Sequence, residues 1–384
     1  MSKTNTGVAT PLRTQLDGLA AFEPATFPVL SLYLDMRPDQ HGRDNYESFL
    51  RKALPDRGRT FTGEDRTSFD RDAERITEYL ALHAEASANG LALFACAGAG
   101  DFFEAVQLGV PIAHHWLFVG SVPHLYPLAR ITDQYPRYAA LVADTNTARL
   151  FVFSLGRPER SERVTNAKTR KGVVGGWSQA RYQRHIQNLH LHHIKEVVAV
   201  LDRVVREEEV AHIVIACDDV TRPLLMDQLP PHLSDRIADI VNLDINAPEH
   251  AVLAETLDVL RQRDADTDAE RVEAMLNAWR AGGLAVVGPD DTLQALTMGQ
   301  VEELVIAGAP ETLRPADAFP ADAAPGPVNL ETTSPDTGLD EERIRLAGEL
   351  VARAHQSGAR LRFIEDAALL ADVGGVGGVL RFKI

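Results

Sequence analysis

The sequence predicts an α/β fold, and three observations carry that prediction. Short runs rich in Val, Ile and Leu alternate with longer stretches whose apolar positions recur at helical spacing, the alternation of a layered α/β protein. The 384 residues give room for two or three domains at roughly 100–200 residues each, and a hydrophobic fraction of 45% is enough for ordinary globular cores. No apolar run approaches the about 18–20 residues of a membrane span, so none is expected. Met1-Ser2-Lys3-Thr4-Asn5-Thr6 lacks the apolar core of a secretory signal, and Cys96 and Cys217 sit in strand-like apolar runs. A cytoplasmic protein with buried free thiols is expected.

The chain divides into three. Over residues 1–130, a strand at 29–34, helices around 46–54 and 68–86, a buried strand at 91–96 and strands at 102–107 and 115–119 predict an α/β layer. Arg51, Lys52, Arg57 and Arg59 form a small basic cluster with Asp44, Glu47 and Asp56 among them, so a solvated face is expected. Over residues 131–265, strands at 138–143 and 149–153 flank Asp144-Thr145-Asn146-Thr147 and predict a hairpin. A basic loop and a long helix follow. Then come a strand at 212–217 ending on Asp218-Asp219, a helix at 221–229 before Pro230-Pro231, a strand at 238–243 and a helix at 248–263. Strands alternating with helices predict a partly parallel sheet. Residues 266–384 open near the charged run 263–270, expected as a linker or a helix start. Helices at 271–281, 291–298 and 340–357 and strands at 284–287, 303–306, 360–364 and 379–384 predict a third α/β domain. Residues 308–338, rich in proline, alanine, aspartate and threonine, are expected to form a long surface loop.

One stretch stands apart in charge. From Arg157 to Lys195 there are nine Lys or Arg (157, 160, 163, 168, 170, 171, 181, 184, 195) against Glu159 and Glu162, a net of +7 in a chain of net −16. Such an island in an acidic protein predicts a local phosphate-binding surface; the alternative is a solvated loop. At its centre, Lys168-Thr169-Arg170-Lys171-Gly172-Val173-Val174-Gly175-Gly176-Trp177-Ser178-Gln179 runs into a helix with apolar Ile186, Leu189, Ile194, Val197, Val198, Leu201, Val204 and Val205. Ser178 is the expected N-cap. Arg181 and Arg184 fall near the helix start, where the macrodipole disfavours cations, so an anion from outside the protein is expected to complete the site.

Gly175-Gly176-Trp177-Ser178-Gln179, with Arg181, Arg184 and the long helix behind it, resembles the central domain of archaeo-eukaryotic class-1 peptide-chain release factors. The likeness is strongest to their bacterial, Vms-like branch, in which the Gly-Gly and the Gln are separated. Residues 284–306 are similar to the third domain of that superfamily, which has the fold of kink-turn-binding ribosomal proteins. The resemblance implies three domains: an N-terminal α/β domain at 1–130, a central mixed-sheet release-factor-like domain with the glycine loop at 131–265, and a C-terminal α/β domain with the kink-turn-binding fold at 266–384. It implies that the loop enters the peptidyl transferase centre, toward the ester joining peptide to tRNA. Gly175, Gly176 and Gln179 would be catalytic, and Lys168, Arg170, Lys171, Trp177, Ser178, Arg181 and Arg184 would bind RNA. The residue types suit those roles. Paired glycines let a backbone approach closely, a backbone amide can stabilise an oxyanion, and a glutamine can position water or a ribose hydroxyl. Cations track phosphates, and a tryptophan stacks on an unpaired base.

Two departures shape the expectation. Trp177 and Ser178 separate the glycines from Gln179, which in stop-codon-reading factors follows directly, and the codon-reading Asn-Ile-Lys-Ser motif has no counterpart. The expected role is therefore release or rescue on stalled ribosomes, by hydrolysis of peptidyl-tRNA or by cleavage within the tRNA 3′ end. The alternative is a non-catalytic ribosome-binding hibernation or A-site occupancy factor. The expected partners are the ribosome, through rRNA and peptidyl-tRNA, with delivery by a translational GTPase left open; no membrane, cofactor or metal is expected.

Other candidates have blander readings. His185, His190, His192 and His193 crowd one helix and His192 pairs with Glu196 at i, i+4, but a metal site needs more convergent ligands. Asp218 and Asp219 are expected to cap the next helix in preference to holding Mg²⁺. Gly374-Gly375-Val376-Gly377-Gly378 precedes a strand and is expected to turn the chain, not to cradle a phosphate. Neither Cys96 nor Cys217 has a neighbouring His or Lys in sequence to activate it.

Overall fold

Strands form where apolar residues run together, and helices where they recur every three or four. The computed structural model describes residues 12–38, 46–85, 87–165, 179–314 and 341–383. The first third contains α1 (Leu12–Ala20), β1 (Val29–Asp35), α2 (Tyr46–Gly58), α3 (Gly63–Leu82), β2 (Gly90–Cys96), β3 (Phe102–Leu108), β4 (Trp116–Gly120) and α4 (Tyr126–Gln134). Its sheet is antiparallel, in the order β3-β2-β1-β4. The period of two sorts β1 cleanly. Leu30, Leu32 and Leu34 pack with Leu50, Phe69 and Ile76 of the helices. Tyr33 lies edge-on to Phe94 and Phe118. Arg57, expected on a solvated face, is 3% exposed, because α2 turns its last residues inward against α3.

The middle third contains β5 (Tyr138–Ala143), β6 (Thr147–Ser154), β7 (Arg157–Thr165), α5 (Gln179–Glu207), β8 (His212–Cys217), α6 (Thr221–Gln228), α7 (Pro231–Ser234), β9 (Ile237–Val241) and α8 (Glu249–Arg280). The sheet order is β7-β6-β5-β8-β9, with β5, β8 and β9 parallel and β6 and β7 antiparallel, a mixed sheet. The hairpin turn is held by the Asp144 carboxylate, which accepts from the backbone N–H groups of Asn146 and Thr147 at 2.7 and 2.6 Å. One face packs on α5 through Ile194, Val197, Leu201 and Val204. The other packs on the first half of α8 through Val252, Leu257 and Leu260. The charged run at 263–270 is neither linker nor helix start: α8 continues through it as one helix of 32 residues. No Gly or Pro interrupts 249–281, and charged residues favour or tolerate a helix interior.

The last third adds β10 (Ala285–Val287), α9 (Pro289–Thr297), β11 (Val301–Ala307), α10 (Glu341–Gln356), β12 (Arg360–Ile364) and β13 (Val376–Leu380), in the order β10-β13-β11-β12 with β11 and β12 parallel. The last strand begins three residues earlier than expected and takes in Gly377 and Gly378. A Cβ on Gly377 would stand 2.9 Å from the Val286 carbonyl oxygen. Gly374 and Gly375, at φ 75° and 83°, make the turn before it. Most of the proline-rich stretch at 308–338 lies outside the described residues.

The chain is thus mixed α/β with three sheets among its described residues. It forms two compact units: one is residues 135–266, and the other joins the residues before 135 to those after 266. Within that second unit the Tyr126 hydroxyl donates to the Ala307 carbonyl at 2.8 Å. Asp133 accepts from the Phe363 amide at 3.0 Å, and Arg362 binds Asp268 at 2.7 Å. Cys96 and Cys217 are buried free thiols. No helix among the described residues is long and apolar enough to cross a membrane.

Candidate functional site

The basic loop leaves the sheet after Thr165 at the end of β7 and re-enters at Gln179, the first residue of α5. Thr165 pairs with Thr147, so the loop departs beside the β5–β6 turn, off the carboxyl ends of the parallel strands β5 and β8. α5 runs antiparallel to those strands, and its 29 residues span about 43 Å. From Gln187 onward its side chains are described, and the first fully buried one is His193. The packed part of the helix then continues through Ile194, Val197, Val198, Leu201, Val204 and Val205. Gln179 stands fourteen residues before His193, about 21 Å along the axis at 1.5 Å per residue. Among the residues whose side chains are described, the fully buried positions of α5 thus begin at His193, near the middle of the helix.

An ion-pair network fixes the held end. Arg160 of β7 binds Glu162 at 2.5 Å, Glu208 at 2.7 Å and Glu207 at 2.9 Å. Arg203 of α5 binds Glu162 at 2.6 Å and Glu207 at 3.3 Å, while Arg137 pairs with Glu159 and Glu208. Burial pushes the Glu208 and Glu162 carboxyls up, but the arginine hydrogen bonds and charges outweigh it and hold both below the ordinary glutamate value. The Glu208 hydrogen bond, followed by those to Glu207 and Glu162, raises Arg160 well above the ordinary arginine value. This corrects the charge reading. Arg160, counted in the +7 island, is neutralised by Glu207 and Glu208, which lie a dozen residues past the counted window and return to it through the antiparallel packing of α5 on β7. The signal was the triple Glu207-Glu208-Glu209, and a contiguous count stops short of it.

Lys168, Arg170, Lys171, Gly175, Gly176, Trp177 and Ser178 lie outside the described residues. Gln179, Arg181 and Arg184 lie in α5, with their side chains outside the described set. His185 is likewise in α5, with its side chain undescribed. The other histidines diverge around the helix: His190 is half-buried, His192 exposed and His193 fully buried. Neither ring nitrogen of His193 reaches hydrogen-bond geometry. Burial lowers its pKa below the ordinary value, against the opposing pull of the Thr147 backbone, Asp144 and Glu196. His193 thus sits where α5 passes the β5–β6 turn. Asp218 accepts from the Thr221 amide at 2.7 Å at the start of α6, and the Thr221 side chain, followed by its amide, holds the Asp218 carboxyl below the ordinary aspartate value. Among the described residues no three His, Cys, Asp or Glu side chains converge as for a metal.

Residues 123–261 match the sequence model of the bacterial archaeo-eukaryotic release factor family 10. Three solved structures are similar over much of their length. An archaeal translation termination factor is 17% identical, with 97% of this chain and 96% of that chain covered and a TM-score of 0.25. A model of ribosome-bound archaeal Pelota is 13% identical, covering 97% and 94%, at 0.41. Dom34 of S. cerevisiae, a translation termination-like factor involved in RNA quality control pathways, is 8% identical, covering 77% and 79%, at 0.39. Superpositions below a TM-score of 0.5 do not establish a common arrangement. No curated protein matches the sequence.

Proposed function

We propose, from the match of residues 123–261 to the bacterial archaeo-eukaryotic release factor family 10, that this chain is a member of the archaeo-eukaryotic release factor superfamily and acts on the ribosome as a release or rescue factor. Its substrate is peptidyl-tRNA on stalled ribosomes. The single observation that carries the reading is that the family match falls on the unit whose long helix starts at Gln179, about 21 Å along the axis before His193, the first fully buried residue among its described side chains. A loop on such an arm suits an ester recessed in RNA. Gly175 and Gly176 shape the loop against the tRNA terminus, and Gln179 orients the attacking oxygen. In hydrolysis that oxygen belongs to water: it attacks the ester carbonyl, the bond to the tRNA ribose breaks, and the ribose hydroxyl leaves with a proton. In the other chemistry a ribose 2′-hydroxyl gives up its proton and attacks the adjacent phosphodiester within the tRNA 3′ end, a 2′,3′-cyclic phosphate forms, and the bond to the 5′ oxygen of the next nucleotide breaks, that oxygen leaving with a proton. Lys168, Arg170, Lys171, Arg181 and Arg184 hold phosphates, Ser178 contacts RNA beside them, and Trp177 stacks on a base.

The same reading assigns residues 1–130, 131–265 and 266–384 to three domains, the last with the kink-turn-binding fold. It gives the protein rRNA and peptidyl-tRNA as partners in the cytoplasm and leaves room for a translational GTPase. A second reading is favoured by one feature: Trp177 and Ser178 displace Gln179 from the glycines, which suits a factor that occupies the A site without chemistry. The deciding experiment incubates the protein with stalled ribosomes carrying labelled peptidyl-tRNA and separates free peptide, intact tRNA and shortened tRNA on a gel. Gln179→Ala should lower cleavage by about 10²–10³. Its melting behaviour should stay within about 0.5 kcal/mol of wild type, as for a surface change. Undiminished cleavage in the variant would remove the glutamine's role. Ribosome binding without any cleavage by the wild type would establish the occupancy reading.

A further inference from the structure

Away from the loop, the described residues expose seven large apolar side chains, and four of them gather at one end of one sheet. Trp279, Leu284, Met298 and Phe382 are 44%, 47%, 48% and 47% exposed. Trp279 lies in the last turn of α8, and Leu284 enters β10. Met298 closes α9 just before β11, and Phe382 follows β13. The backbone ties these positions together. Leu380 donates to the Leu284 carbonyl at 3.0 Å, Arg381 to the Gln300 carbonyl at 2.7 Å, and Gly282 to the Trp279 carbonyl at 2.9 Å. Because β13 runs antiparallel to β10 and β11, its last residues and the first residues of those strands share that end of the sheet. A polar surface would be expected there; clustered exposed apolar side chains mark an interaction site.

The charges around the cluster say what it takes. Arg280, Arg381 and Lys383 are exposed and border it. Their hydrogen bonds go to neutral groups: Arg280 to the Asn277 side chain at 3.3 Å, Arg381 to the Gly358 carbonyl at 2.7 Å, and Lys383 to the Gly282 carbonyl at 3.1 Å. The carboxylates at the start of β11 are already engaged, Glu302 by Arg360 and Glu303 by Arg271. Three cations without a carboxylate partner among the described residues thus rim an apolar patch, although residues 267–384 carry 19 acids against 10 bases. A positive rim in a strongly negative segment is complementary to an acidic partner face.

We propose that this end of the C-terminal sheet docks a protein partner through an amphipathic segment that is apolar on one side and carries Asp or Glu along its edges. A second copy using the same face is disfavoured, since two basic rims would repel across a twofold axis. RNA is disfavoured too. Trp279 and Phe382 offer aromatic faces, but the net charge of −9 that residues 267–384 carry in sequence works against a polyanion. The proposal does not depend on the ribosomal reading.

The test uses the full chain and four labelled probes, followed by fluorescence anisotropy. They are a helical peptide with Leu at i, i+3, i+4 and i+7 and Glu elsewhere, its Lys counterpart, a scrambled Leu/Glu peptide without an apolar face, and a single-stranded RNA. The Leu/Glu helix should bind at least about tenfold more tightly than each of the others. The double variant Arg280→Glu/Lys383→Glu should lose about tenfold, a loss that shrinks at high salt because the rim is exposed. Arg280→Glu alone, which gives up one long side-chain contact, should keep the melting temperature and show part of the loss. It decides the matter if the double variant does not fold. Equal binding of the Leu/Glu helix by variant and wild type, tightest binding of the RNA, or no binding of any probe would overturn the proposal. So would a wild-type dimer in ultracentrifugation that the charge reversals dissolve.

Discussion

Acid should loosen the unit built from the two ends of the chain, and His124 should account for a measurable share of the effect. Its ring is 6% exposed and lies tilted with its centroid 4.0 Å from that of Phe118, while its backbone is held by Ser31 and Tyr33. Gly348 makes room for it, since a Cβ there would stand 2.5 Å from Nδ1. Burial is the one cause acting on the imidazole and lowers its pKa to about 3. The unfolded chain, at about 6.5, therefore binds the proton more readily than the native state, so stability is full above pH 6.5 and falls as pH drops. Between pH 7 and pH 5 the linkage relation gives a loss of about 2 kcal/mol from this one group. That figure barely depends on the native value, because any value well below 5 leaves the native ring neutral throughout. The assay is urea unfolding of the full chain at both pH values, for wild type and His124→Leu. The leucine variant has its own packing cost, but that cost is the same at both pH values and cancels. Its pH difference should be smaller than wild type's by about 2 kcal/mol. An unchanged difference would show that the native ring takes up a proton freely, and the reasoning from burial would fail.

The remaining predictions concern other parts of the chain. Burial pushes the Asp72 carboxyl up to about 6, so its contribution has the opposite sign: stability is lost as pH rises from about 3.8 toward 6, and Asp72→Asn should flatten that slope in the same titration. Arg160→Ala should cost the central unit about 1–2 kcal/mol in urea unfolding, since its three carboxylate partners are part-exposed and each keeps another arginine; full stability would show the network to be ornamental. Ribosome affinity should fall steeply with salt, and Arg170→Ala/Lys171→Ala should flatten the log–log slope by about one to two units; an unchanged slope would place the contact elsewhere. Gln179→Ala, as set out above, should separate cleavage from folding.

Much of this protein was decided locally. Leu30, Leu32 and Leu34 alternate on β1, and Ile194, Val197, Val198, Leu201, Val204 and Val205 recur on α5, so periodicity alone located both elements and their buried faces. The glycine loop and the helix behind it also pointed to the family that residues 123–261 match, because that likeness lies in contiguous residues. Even α8 was open to local reading, for the run at 263–270 contains no residue that breaks a helix. Only the tertiary structure decided where charges and segments meet. Arg160 finds Glu207 and Glu208 because α5 doubles back along β7, and Arg57 is buried because α2 ends against α3. Tyr126 reaches Ala307 across 181 residues, so the two ends of the chain close one unit that neither end's pattern announces. Periodicity reports which face of an element is apolar; which side chain stands opposite depends on the path of the backbone between them.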